Sequence, residues 1–244
     1  MAVVTIARQI GSGGSNIAYT LAEELGYVVL DKNAVQEALT RAEILRRRGD
    51  AAMVKHDDSG LDEDVVETAT SHMINEMRRL TTPARPPDEA LNWPEHYWHP
   101  KWAPQRYIAF LRALILEAAE DDHVIIVGRG ANFVLRNTPK AIRVFIGGSF
   151  ERRVERLAKE SDLSPRRAAD IVARSDELRK AFVRKAFKKE WADPDGYDML
   201  FNTDDVDDKT IIRRIAAAVR EIDPTTFSTA RPEPPSEAES RLFH

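Results

Sequence analysis

The 244-residue chain contains no cysteine. That excludes a disulfide framework, a thiolate zinc site, a cysteine nucleophile and thiol redox chemistry, and it fits a reducing compartment. Long apolar runs are also missing, since none approaches the roughly 20 residues that a membrane span requires. The opening MAVVTIARQIGSGG has too short an apolar stretch and no basic leader, so no signal peptide is expected and the chain is read as cytoplasmic. An excess of positive charge is lacking too. A net charge of −4 gives no general attraction for nucleic acid or anionic lipid.

What is present is the composition of a soluble globular chain, 43% hydrophobic and 31% charged. Its length allows one generous domain or two small ones. Charge is unevenly spread: between Arg152 and Lys189 there are 13 Lys/Arg against 6 Asp/Glu, a local excess of +7, so the remainder carries −11. A basic segment on an acidic chain points to a small polyanionic ligand. The plainer alternative is a solvated helical face.

The spacing of apolar residues predicts strands at 3–7, 27–30, 123–127, 141–146 and 197–202. Helices are expected after the glycine turn to Leu25, at 33–48, from Gly60 to about Leu80, and at about 105–120. Further helices are expected through 150–190 with a break near Leu163-Ser164-Pro165, and at about 207–222. Six of the 13 prolines lie between Pro83 and Pro104, with Trp93, Trp98 and Trp102 among them, which reads as an irregular but partly packed excursion. His96 and His99 have no carboxylate pattern around them, so no metal site is expected there. The stretch 223–244 holds four prolines and few apolar residues and is read as a disordered tail. Strands alternating with helices predict a three-layer, doubly wound α/β fold on a five-stranded parallel sheet. Ligands of such sheets bind at the carboxyl ends of the strands.

The first such end reads Arg8-Gln9-Ile10-Gly11-Ser12-Gly13-Gly14-Ser15-Asn16. Glycines let backbone N–H groups curl around an anion, and the following helix N-terminus adds its dipole. Laid over the G-x-x-x-x-G-K-[ST] phosphate loop, Gly13 is the last glycine, Gly14 stands where the lysine belongs, and Ser15 supplies the magnesium-binding hydroxyl. Arg8 falls at the first glycine. A dinucleotide-binding turn is the rival: Gly11-x-Gly13 starts it and Asp31 lies 20 residues on, but Asn16 occupies its third glycine position.

Together, the opening VTIARQIGSGGSNIA, a second strand ending in Asp31-Lys32, VGRGANFVL at 127–135, RVFIGGSFERRVER at 143–156 and YDMLFNT at 197–203 resemble the cytidylate kinase-like family. The resemblance covers roughly 1–48 and 105–222. It implies a phosphate-loop kinase domain over 1–222, with a helical acceptor-binding insertion at 33–104 and a mobile helical lid at 150–190. It also implies ATP and Mg2+ as cofactors, with Gly11, Ser12, Gly13, Gly14, Ser15 and Asn16 around the donor phosphates and Ser15 on the metal. Arg152, Arg153 and Arg156 match the start of the lid, where Arg152 and Arg156 would meet the donor. Asp31, Lys32 and Arg129 would meet the acceptor, a nucleoside monophosphate or similar small phosphorylated molecule, with CMP or dCMP the family default. Asp176 and Arg179 match an Asp-x-x-Arg element in which the arginine contacts both phosphates and the acid orients it. Two features depart from the pattern: the loop lysine is absent, for which Arg8 is the stand-in, and Gly130 replaces the acid that follows Arg129. The leading expectation is therefore ATP-dependent phosphoryl transfer to a nucleoside monophosphate, with Arg8, Arg129, Arg179 and Asp176 as the catalytic set. A non-catalytic nucleotide-binding module on the same fold and an NAD(P)-dependent oxidoreductase are the alternatives. No membrane or nucleic-acid partner is expected, and the sequence leaves the oligomeric state open.

Overall fold

The computed structural model describes residues 2–48, 68, 103–120 and 123–224. The helix expected from Gly60 to Leu80, nearly all of the proline- and tryptophan-rich excursion, and the tail from 225 onward lie outside the described residues.

Five strands form one sheet: β1 (Val3–Arg8), β2 (Val28–Leu30), β3 (Val124–Val127), β4 (Ala141–Gly147) and β5 (Met199–Asn202). Every pairing is parallel and the order is β2-β3-β1-β4-β5, so β1 is central. Parallel strands buried on both faces are mostly apolar on both, as are VIIV and all of VVTIAR except Thr5 and Arg8. Alternation then sends Val4, Ile6, Ile125 and Val127 to one core and Val3, Ala7, Val124 and Ile126 to the other.

The first of these cores is closed by α1 (Gly14–Leu25) and α7 (Asp208–Ile222), and the second by α2 (Lys32–Arg48) and α3 (Pro104–Glu120). The fold is thus the three-layer α/β arrangement expected. A short α4 (Ala131–Val134), which the sequence pattern did not suggest, follows β3. The basic segment forms α5 (Phe150–Glu160) and α6 (Pro165–Phe187), broken where Ser164 caps α6 and Pro165 takes its first position. Ile10 from the glycine turn packs with Leu157 of α5 and Ala168 and Val172 of α6, so the segment has a small core of its own against the turn.

The edge strand β5 is clipped to β4 by a side-chain fork. Arg143 donates through Nε and Nη2 to Asp198 at 2.9 and 2.5 Å, and its backbone N–H donates to the same carboxylate at 2.8 Å. The Arg143 hydrogen bond holds the Asp198 carboxyl below its ordinary pKa. A depressed carboxylate stabilises the fold at neutral pH and loses that contribution as pH falls through its folded pKa. Asp198→Asn is therefore expected to lower stability at pH 7 by less than about 1 kcal/mol, since the pair is half-exposed. The deficit should vanish on acidification below the carboxylate range, as urea titrations at pH 7 and pH 3 will read.

Candidate active site

The glycine turn leaves β1 at Arg8 and enters α1 at Gly14. Gly11 and Gly13 lie at φ +77° and +76°. A Cβ on Gly11 would sit 2.3 Å from the Arg153 carbonyl oxygen, and one on Gly13 would sit 2.2 Å from Arg156 Nη1. Both the dihedral and the space therefore demand glycine. The Ser12 side chain is fully buried, with its hydroxyl 2.7 Å from the Gln9 carbonyl oxygen and accepting from the Gly14 N–H at 3.3 Å. The Ser12 side chain thus braces the turn. Gly13 caps α1 without a side-chain bond, and the first turn has no acidic residue, so the positive end of the helix faces the turn uncompensated by either. Ser15 and Asn16, half-buried, occupy that end.

Arg8 is buried at the end of β1, with its stem against Gly14, and donates through Nε to Ser15 Oγ at 3.3 Å. Its guanidinium therefore enters the turn beside the position where the lysine of the loop pattern would stand. From the end of β3 comes Arg129, the middle of three successive residues in the left-handed region, at φ 78° for Gly128, 57° for Arg129 and 73° for Gly130. For a non-glycine residue that conformation costs roughly 1–2 kcal/mol, and such strain concentrates at functional sites. Gly130 has a steric reason of its own, because a Cβ there would lie 2.1 Å from the Phe187 ring. The acid of the ordinary Gly-Arg-Asp phrase does not fit beneath that ring.

Arg8, Arg129 and Arg179 line one cavity of about 20 Å³, walled also by Asn132, Phe182 and Trp191. None of its described lining residues is acidic. Three guanidinium-bearing residues from three separate elements around so small a space suit an anion at its mouth. The cavity itself holds about one water. Trp191 went unnoticed in the sequence. Its only signal is that it stands apart from the other three tryptophans, in an otherwise polar stretch.

Several expected roles change. Asp176 does not orient Arg179; it forms a two-pronged pair with Arg153, at 3.2 and 2.8 Å, across the α5–α6 interface. Arg179 lies one turn on and is buried at 4% exposure, donating instead to Ser175 Oγ. Replacement of Arg179 will therefore disturb packing as well as charge. Asp31 caps α2, accepting from the N–H groups of Asn33 and Ala34 at 2.8 and 3.0 Å, while its other oxygen accepts from the Tyr19 hydroxyl at 2.9 Å. Capping thus accounts for an acid at this position, and the dinucleotide reading loses its ribose ligand. Lys32 opens α2 beside it.

Part of the charge of the basic segment is compensated by ion pairs. Arg156 donates to the Ser12 carbonyl at 2.8 Å and pairs with Asp208 at 3.3 Å, Lys180 pairs with Glu177, and Arg184 pairs with Glu190. Arg152 is largely exposed, pairs with Glu155, and reaches the site only as one wall of an open cleft of about 670 Å³. That cleft runs outward from Gly11 between α5 and Thr203-Asp204, where the Ser149 hydrogen bonds hold the Asp204 carboxyl below its ordinary pKa. For Mg2+ the protein offers the Ser15 hydroxyl, which accepts from Arg8. No cluster of three or more His, Asp or Glu suited to a metal exists among the described residues. Such a donor set fits an ion carried mainly by phosphate oxygens and water.

Replacing Asp176 by Asn should leave the buried Arg153 charge uncompensated and cost about 3 kcal/mol in urea unfolding. Glu177→Gln, one position along on the exposed face, should leave the unfolding midpoint unchanged. Equal, negligible effects would make the Asp176–Arg153 pair no more than a surface ion pair.

Comparison with known proteins gives a family and a fold. The model of the cytidylate kinase-like family matches residues 3–205. An uncharacterized protein from Eubacterium ventriosum superposes with a TM-score of 0.54 at 20% identity, covering 90% of this chain and 98% of that one. At that identity the likeness is one of fold. Shikimate kinase from Bacteroides thetaiotaomicron (TM-score 0.41, 16% identity, 90% and 96% covered) and a gluconokinase from Sinorhizobium meliloti (0.43, 12%, 94% and 98%) superpose more loosely. Comparison with curated proteins gives no match.

Proposed function

Because the chain belongs to the cytidylate kinase-like family, we propose that it transfers the terminal phosphoryl group of ATP to a small phosphorylated acceptor. CMP or dCMP is the acceptor to test first. The observation that carries this reading is Arg8, hydrogen-bonded to Ser15 inside the glycine turn and lining the same cavity as Arg129 and Arg179.

The chemistry asks for little more than alignment and charge neutralisation. An acceptor phosphate oxygen attacks the terminal phosphorus, the bond from that phosphorus to the bridging oxygen breaks, and a nucleoside diphosphate leaves. Gly11, Gly13 and the N-terminus of α1 hold the donor phosphates, and the cleft beyond Gly11 takes the nucleoside. Mg2+, when bound, offsets phosphate charge beside Ser15. Arg8 is the fixed cation of the turn, and Arg129 and Arg179 bridge donor and acceptor as charge spreads over the equatorial oxygens. In this reading α5 and α6 form the lid that covers the donor and excludes water.

Nucleoside diphosphate release from ATP-Mg2+ should be measured against a panel of nucleoside monophosphates and other small phosphorylated or hydroxylated acceptors. Turnover with one class supports the reading. A chain that binds ATP but turns over none of them is the non-catalytic module. For the Arg8→Ala variant, kcat should fall by about 10²–10³ while ATP affinity changes by much less, because the missing charge is needed where charge develops. Equal losses in both would make Arg8 a ground-state ligand only.

A further inference from the structure

Arg179 is nearly fully buried, yet it sits on a helix that also carries ordinary surface charge. A buried guanidinium must be held by something, or its desolvation outweighs any use. Ser175, one turn earlier, takes one N–H. Another neighbour is aromatic: the guanidinium carbon of Arg179 lies 5.6 Å from the centroid of the Trp191 ring, within cation–π range.

Trp191 is itself fixed from behind. It is 6% exposed, its ring meets Phe145 of β4 edge-on at 5.6 Å and 68°, and its carbonyl accepts the Tyr197 hydroxyl. Phe145 also packs against the Tyr197 ring at 5.2 Å. A continuous path of rings therefore runs from the sheet to the guanidinium. The same Trp191 forms a wall of the cavity lined by Arg8 and Arg129.

We infer that Trp191 is the positioning residue for Arg179, an aromatic platform that aims the guanidinium at the anion held by Arg8 and Arg129. The inference rests on the proposed phosphoryl transfer only in naming that anion as a phosphate. A π face attracts the cation without accepting any of its five N–H donors in the plane, so the platform fixes direction while the planar fork keeps its hydrogen-bonding edge. An aliphatic side chain of similar size could fill the same space and would not supply that attraction.

The test is a double-mutant cycle in the full chain, combining Trp191→Leu and Trp191→Phe with Arg179→Met, which keeps buried volume at the arginine site. Each variant is read on kcat/KM and, separately, on calorimetric affinity for inorganic pyrophosphate, which needs no turnover. In the wild-type background Trp191→Leu should weaken both about tenfold, and Trp191→Phe should recover most of the loss. In the Arg179→Met background Trp191→Leu should change pyrophosphate affinity by less than about twofold, because its route of action is gone. Losses that simply multiply in both backgrounds would make Trp191 a packing residue and overturn the inference. Should Trp191→Leu fail to fold, Trp191→Phe carries the same cycle with a smaller coupling of the same sign. Wild-type protein that fails to bind pyrophosphate also overturns the inference. Failure to turn over any acceptor defeats the kinase reading instead, and the pyrophosphate cycle still decides the role of Trp191.

Discussion

The Arg153–Asp176 pair is the joint on which the site hangs. Arg153 presses its backbone against Gly11 and sends its guanidinium to the carbonyl oxygens of Ile10 at 3.4 Å and Gly148 at 3.0 Å, tying the glycine turn to the end of β4. Asp176 then ties that bundle to α6, the helix that carries Arg179 one turn later. Burying two opposite charges is rarely a net gain in stability, because desolvation offsets much of their attraction. The return here is geometric: a turn built of glycines has little stiffness of its own, and the pair fixes where it sits relative to the arginine-bearing helix.

Around that joint the proposed phosphoryl transfer poses one problem, how to neutralise a phosphate chain without the usual lysine. Lysine brings a compact ammonium on a flexible stem, while arginine brings a planar fork whose charge is kept at any ordinary pH. Arg8 sits at a strand end, where its backbone pairs with Ile146 of β4, so its stem is aimed by the sheet itself. Arg129 is aimed by a left-handed backbone, and Arg179 by a tryptophan platform. Three different devices thus direct three arginines at one cavity. Such fixed donors need no reorganisation as charge develops, which is the property that catalysis by electrostatic stabilisation requires.

Much of this fold was readable from local pattern. Val3–Arg8, Val124–Val127 and Ala141–Gly147 show as short apolar runs because parallel strands covered on both faces admit few polar residues. Gly11 and Gly13 show because the turn admits no Cβ. Partnerships were less readable. Asp176 and Arg179, three apart on a helix, satisfy a local rule, but the true partner of Asp176 lies 23 residues back on another helix, and spacing carries no information about which helices meet. Asp31 ends a strand where a ligand acid could stand, and a helix N-cap prefers the same residue type. Trp191 gives no periodic signal at all, because its role comes from Phe145 and Arg179, both distant in the chain.

The claim that three arginines from separate elements act on one phosphoryl group is tested most directly by a crystal structure. The chain should be crystallised with ADP, Mg2+, fluoroaluminate as the mimic of the group in flight, and the acceptor that supports turnover. The account predicts the fluoroaluminate at the mouth of the cavity, between the glycine turn and Trp191, within hydrogen-bond distance of Arg8, Arg129 and Arg179. A fluoroaluminate held elsewhere, or held at the turn with Arg129 and Arg179 out of reach, would contradict it.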